Sequence, residues 1–312
     1  MSSRSTVEYE VPSWTRALAK YRRPSAVRST CEIIVTALPF AAFWGLASLA
    51  VANGNWAGLF LTIPAAAFLV RMFILQHDCG HGALFQRSAL NDWTGRVIGV
   101  LTLTPYDYWR RTHAVHHATA GNLSRRGIGD INTLTVREFG ALPWTGRLHY
   151  WLYRHPFVMF GVGPIWLFLG QYRLPLGLVR SGLQPWASTL ATNLAIAILV
   201  GALIWLIGVG PFVMVQLPVT LMASTVGVWL FYVQHQFETT HWSEQKDWNF
   251  HHAALHGSSH YDLPFPIRWF TGNIGIHHVH HLAASVPFYR LPEVMRDHPG
   301  LRNVGRMTLW KA

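Results

Sequence analysis

Three histidine clusters carry the residue types most able to do chemistry in this chain: His77-Asp78-Cys79-Gly80-His81, His113-Ala114-Val115-His116-His117 and His277-His278-Val279-His280-His281. The spacing is HxxxH once and HxxHH twice. On a helix, residues three and four apart share a face, so each cluster can aim two or three imidazoles at one point. Neutral imidazole suits iron, zinc, copper and nickel, and must be deprotonated to bind. Eight such donors exceed the four that one tetrahedral zinc takes, which favours two metal ions.

A single HxxxH is an ordinary pair of histidines that cap or hydrogen-bond. Three clusters in one chain are harder to explain that way, because crowded imidazoles repel one another below about pH 6.5 unless a metal keeps them neutral.

The elements that must position these clusters are apolar helices. Of 312 residues, 51% are hydrophobic and only 12% charged, about half the charge of an ordinary soluble domain. A bilayer span needs about 20 apolar residues. Ile33 to Ala52 carries no charge, and Trp56 to Leu75 carries only Arg71, expected to snorkel from near the span's end. Ser181 to Phe237 has no Asp, Glu, Lys or Arg, with Gly208-Val209-Gly210-Pro211 as a turn in its middle. Four spans follow, at about 33–52, 56–75, 187–208 and 212–233, paired as two hairpins. Residues 1–32 form a basic arm, expected to be flexible and without a secretory signal, and 33–312 form a single domain. Two shorter apolar stretches, Val97 to Pro105 and Pro156 to Gly170, are expected to be interfacial or buried helices.

Lysine and arginine fall before the first span, between Arg87 and Arg180, and after the fourth, while both short connections carry none. Under the positive-inside rule both termini, the central loop and all 18 histidines are cytoplasmic. The net charge of +11 then reads as membrane orientation and contact with anionic headgroups. Nucleic acid is not an expected partner, since no binding motif accompanies the charge. Cys31 and Cys79 are too few and too reduced in that compartment for a disulfide.

The strings HDCGHGALF, HAVHHATAGN and GNIGIHHVHHL, the last followed by VPFYRLPEV, resemble the histidine boxes of the membrane fatty acid desaturase family, closest in pattern to the acyl-lipid type of bacteria and plants. The match in order and spacing runs from about His77 to Val294. The resemblance implies an all-α integral membrane protein in a bacterial inner membrane, whose four helices carry a cytoplasmic helical cap around a histidine-ligated di-iron site. It implies insertion of a carbon–carbon double bond into a fatty acyl chain, lipid-borne or thioester-borne, with dioxygen and two electrons. Carried over by motif, the iron ligands are His77, His81, His113, His116, His117, His277, His280 and His281, with His278 excluded. The family's further histidine after the last span corresponds to His235, with His241 or the group His251, His252 and His256 as rivals otherwise read as a polar face.

Histidine ligands are commonly oriented by a carboxylate or carbonyl on the other ring nitrogen, and Asp78, Asp107, Asn122, Asp130, Glu238 and Asn273 are the candidates near the boxes. Asp107 reads equally well as a helix cap. Tyr106, Tyr108, Trp109, Trp242, Trp248, Tyr261, Trp269 and Phe270 could line an acyl tunnel or pack at the interface. A separate electron donor, ferredoxin or free cytochrome b5, is implied, since His298-Pro299-Gly300 has too little chain after it for a haem domain. Two alternatives remain: a hydroxylase or oxygenase of a lipid or carotenoid with the same centre, and, more remotely, a membrane metal transporter, which would instead place ligands within its spans.

Overall fold

The computed structural model describes Trp14 and residues 16–312, so most of the first half of the basic arm lies outside the described residues. The described end of that arm is fastened down. Leu18 and Tyr21 are wholly buried against Leu291, Val294 and Leu301, and the Tyr21 hydroxyl donates to Asp297 at 2.6 Å. The expectation of a flexible arm fails here because hiding two large apolar side chains is worth about 1.5–3 kcal/mol each.

The protein is predominantly helical, as its composition led us to expect. In chain order the helices are α1 (Ala26–Ala52), α2 (Thr62–Gly80, entered through a 3-10 segment at Trp56–Leu61), α3 (Ser88–Leu101), α4 (Tyr106–Thr119), α5 (Val136–Ala141), α6 (Trp144–Arg154), α7 (Leu183–Ile207), α8 (Val209–His235), α9 (Phe250–His256), α10 (Ile267–Phe270), α11 (His277–Leu282) and α12 (Leu291–Asp297). Four stretches, Ala26–Ala52, Trp56–Gly80, Leu183–Ile207 and Val209–His235, are long and apolar enough to cross a membrane. Helix α1 starts seven residues earlier than the apolar run does, capped by the Ser25 hydroxyl, which accepts from the Arg28 amide.

Helices α7 and α8 meet at a single residue. Gly208 (φ +84°) ends one and caps the next, a conformation that glycine adopts without a Cβ clash. Leu190, Leu194, Ile198 and Trp205 stay exposed along α7. A helix that is apolar on its outer faces suits lipid rather than water.

Arg71 does not snorkel. It is buried in α2 and ion-paired with Glu32 of α1, which is also buried, while its guanidinium lies 3.8 Å from the Trp269 ring centre. A charge this deep persists only when paired, and a partner from the neighbouring helix relieves it of any need to reach the interface.

The apolar stretch 158–170 is helical but irregular, with π-helical turns at Val158–Val162 and Trp166–Gly170. It lies along α8, where Thr225 donates to the Phe160 carbonyl at 2.7 Å and the Phe160 ring meets Trp229 and Tyr232. Two short strands, β1 (His260–Asp262) and β2 (Arg306–Thr308), pair in parallel and tie the C-terminal segment to the cap.

Candidate metal centre

Four elements deliver nine imidazoles to one place. His77 occupies the last turn of α2 and His81 caps it. Helix α4 presents His113, His116 and His117, and α11 presents His277, His280 and His281. His235 is the last residue of α8. The three-and-four spacing does locally what it must, since each box turns its imidazoles to one helical face.

The nine fall into two groups that could each hold a metal ion: His77, His81, His113, His117 and His280 in one, and His116, His235, His277 and His281 in the other. Within each group the candidate ligand atoms all lie within 4.8 Å of one another. Neighbouring Nε2 atoms face each other at 3.1 Å for His113 and His81, 3.1 Å for His116 and His235, 2.9 Å for His277 and His235, and 3.1 Å for His280 and His117. Metal–imidazole bonds are about 2.0–2.1 Å, so ligands at right angles around one ion stand about 3 Å apart. The donor sets therefore fit one ion each.

Ring orientation is held from behind. The Nδ1–H of His116 donates to Asp130 at 2.5 Å, and that of His235 donates to the Gly257 carbonyl at 3.2 Å. Each bond leaves Nε2 free to point inward. Asp130 reaches His116 because its loop lies hard against α4. A Cβ on Gly129 (φ +74°) would meet the Thr112 carbonyl at 2.8 Å. Replacing Asp130 by alanine should weaken metal binding by about 10–100-fold, measurable as metal retained after dialysis against graded chelator.

Of the other orienting candidates, Asp78 stands 3.7 Å from His77 Nδ1 and accepts the Phe288 amide at 2.8 Å. The remaining four do not orient the nine. Asp107 forms an ion pair with Arg96 at 2.9 Å in the first turn of α4, where a carboxylate also suits the helix dipole. Asn122 donates to Gln245, Asn273 donates to the Phe288 carbonyl, and Glu238 points to the exterior. The Gly257 carbonyl was missed because a backbone acceptor leaves no mark in a sequence.

His278 turns away, its Nε2–H donating to the Leu301 carbonyl at 2.9 Å. His241, His252 and His256 group separately, with ring centres 4.7 and 4.5 Å apart in sequence order. Both cysteines are free.

Burial drives the imidazoles of His81, His113, His117, His277, His280 and His281 well below their ordinary value of 6.5, with neighbouring rings adding to the effect. They stay neutral in the folded chain where an unfolded chain would already be protonated. Stability is thus present above pH 6.5 and is lost as pH falls below it, by up to about 1.4 kcal/mol per pH unit for each ring. Chelated protein in detergent should show a melting temperature that changes little from pH 7.5 to 6.5 and drops from there to pH 5.5.

An apolar cavity of ≈ 750 Å³ opens beside the centre, with His77, His113 and His277 in its wall together with Phe73, Trp166 and Phe231. Among the aromatic residues singled out by sequence, Tyr108 and Trp109 line it. Trp109 also stacks on His113, with ring centres 4.5 Å apart. Tyr106 is instead buried, donating to the Cys79 carbonyl, and Trp269 and Phe270 pack on Phe68.

Fold and site together define a helical protein with four potential membrane spans and, at the ends of two of them, a histidine centre that could hold metal ions. The family model for fatty acid desaturase matches residues 54–308. The chain is 41% identical over 304 residues to a fatty acid desaturase of Bacillus subtilis (strain 168), covering 97% of this chain and 86% of that one. It is 28% identical over 290 residues to an sn-1 acyl-lipid omega-3 desaturase (ferredoxin) of Synechocystis sp., covering 86% and 74%. An sn-1 oleoyl-lipid 12-desaturase of the same organism is 28% identical over 223 residues, covering 72% and 63%. The chain belongs to the fatty acid desaturase family and is an oxidoreductase.

Proposed function

We propose that the protein inserts a double bond into a fatty acyl chain carried on a membrane lipid, at a centre of two iron ions held by the nine histidines, with dioxygen as oxidant and two electrons from a separate ferredoxin-type donor. The observation that carries this reading is the pair of imidazole clusters abutting an apolar cavity. Ferredoxin appears in the names of three acyl-lipid relatives, from Synechocystis, Helianthus annuus and Nostoc. Residues 33–312 act as one catalytic domain behind the basic arm, in a bacterial inner membrane.

Bound iron would supply the oxidising power. Dioxygen takes up four electrons and four protons to leave as two waters, the donor providing two electrons, the acyl chain two electrons and two protons as its two C–H bonds are lost, and solvent the other two protons. The chain's own residues do the rest. Phe73, Trp166 and Phe231 present an apolar wall that excludes water and aligns an extended acyl chain. His77, His113 and His277 bring the ligand shell to that wall. Asp130 and the Gly257 carbonyl keep His116 and His235 in the orientation that presents Nε2. The one carboxylate in the cavity wall, Asp130, is engaged by His116.

The test is the fatty-acid profile, by gas chromatography with mass spectrometry, of a desaturase-poor bacterial host expressing the chain and a ferredoxin system, beside a His117→Ala control. A new unsaturated acid missing from the control is expected. A hydroxylated product would overturn the desaturation reading, and metal uptake into vesicles without lipid oxidation would overturn enzymatic function. Both termini and the centre face the cytoplasm on this reading, so a reporter fused after Ala312 should signal there.

A further inference from the structure

A second concavity, of ≈ 370 Å³, lies on the other face of the segment 273–277. Ile274 and His277 line the apolar cavity, whereas Asn273, Gly275 and Ile276 line this cleft. Its chemistry is opposite. Arg268, Arg296, Arg302 and Arg306 surround it, along with His260. Asp262 neutralises Arg306 at 2.7 Å, Arg302 donates to the Met295 carbonyl, and Arg296 stands 3.8 Å from Asp297. The Arg268 guanidinium has no hydrogen-bonding or ion-pair partner among the described residues. Positive charge therefore remains in a cleft with room for an anionic group and more.

Exposed apolar side chains stand beside the segments that carry two of these arginines, Arg268 and Arg306. Phe265 is 73% exposed and Ile267 41% exposed, on either side of α10's start, and Trp310 is 93% exposed just beyond β2, which carries Arg306. Helix α10 is also anchored low on the bundle. Trp269 and Phe270 pack edge-on against Phe68, nine residues before His77 and inside a stretch able to span a membrane. At about 1.5 Å per residue, that sets α10 about 13 Å along α2 from His77, towards the bilayer interior. Exposed aromatics beside an arginine cluster in which Arg268 is unpartnered are the combination that binds a headgroup and its first methylenes together.

We propose that this cleft binds the phosphate of an anionic phospholipid, phosphatidylglycerol being the chosen probe, with Arg268 and Arg296 as principal cations and with Phe265 and Trp310 against the acyl chains. The site is separate from the acyl cavity and needs no metal. An acidic protein partner would use the same arginines, and the experiment below separates it from a lipid.

The experiment uses the full-length protein in neutral detergent, with bound lipid read by native mass spectrometry during titration with short-chain phosphatidylglycerol, glycerol 3-phosphate or inorganic phosphate. Arg268→Gln with Arg296→Gln should raise the dissociation constant for phosphatidylglycerol at least about tenfold, a loss of about 1.4 kcal/mol. Both side chains are exposed, so the fold should survive, and Arg137→Gln, on the exposed surface of α5, should change nothing. Phe265→Ala with Trp310→Ala should weaken phosphatidylglycerol several-fold while sparing glycerol 3-phosphate. Wild-type lipid affinity in the arginine double variant would overturn the proposal. So would inorganic phosphate binding as tightly as lipid, which would assign the cleft to a soluble anion. Loss of ferredoxin binding with lipid affinity unchanged would assign it to a protein partner.

Discussion

With His280 replaced by alanine, the protein is expected to remain folded and membrane-inserted while losing detectable desaturation and, on the proposed di-iron reading, most of the iron of the five-histidine group. His280 joins α11 to the histidines of α2 and α4, its Nε2 facing that of His117 at 3.1 Å and its ring lying 4.5 Å from that of His77. Removing it opens the shell on the side that no other residue of α11 can fill, because His277 and His281 belong to the second group. Iron counted by elemental analysis, alongside product by gas chromatography, checks this outcome. Two tightly held irons with near-normal turnover would refute the ligand assignment.

The second large effect is a contrast between two buried histidines. His235→Ala should abolish turnover and deplete the four-histidine group, since His235 Nε2 faces both His116 and His277. His278→Ala should keep both irons and substantial activity, though His278 is equally deep. Its loss removes the hydrogen bond to the Leu301 carbonyl and leaves that acceptor buried, a penalty of about 1–3 kcal/mol that lowers the melting temperature only. Equal iron loss in the two variants would show that burial, and not position in the shell, accounts for the effect.

Some outcomes were legible from residue order because they depend on local geometry. HxxHH on one helix face needs no partner to aim its imidazoles, and charge-free runs long enough to span a bilayer announce themselves by composition. The short Gly208 link between α7 and α8 is likewise a property of one residue. Asp130 was named as a candidate, but nothing local distinguished it from Asp107. The difference arises because the glycine-bearing loop packs against α4 while Asp107 finds Arg96 eleven residues back.

Arg71 shows the limit most clearly. Read alone, an arginine near the end of an apolar run should reach for water, yet Glu32, just ahead of the first apolar run, meets it across the helix interface. The sequence by itself pointed to the four apolar helices and to the eight box histidines that could share a centre, since periodicity and hydropathy are written in neighbouring residues, whereas His235 was suggested only by the family resemblance, with His241 and the group His251, His252 and His256 as rivals. Tertiary structure alone decided how the nine divide into groups of five and four, that Gly257 and Asp130 hold two of the rings, and that a single segment separates an apolar cavity from an arginine cleft. Those facts depend on distances between residues far apart in the chain, and the packing that sets such distances leaves no local signature.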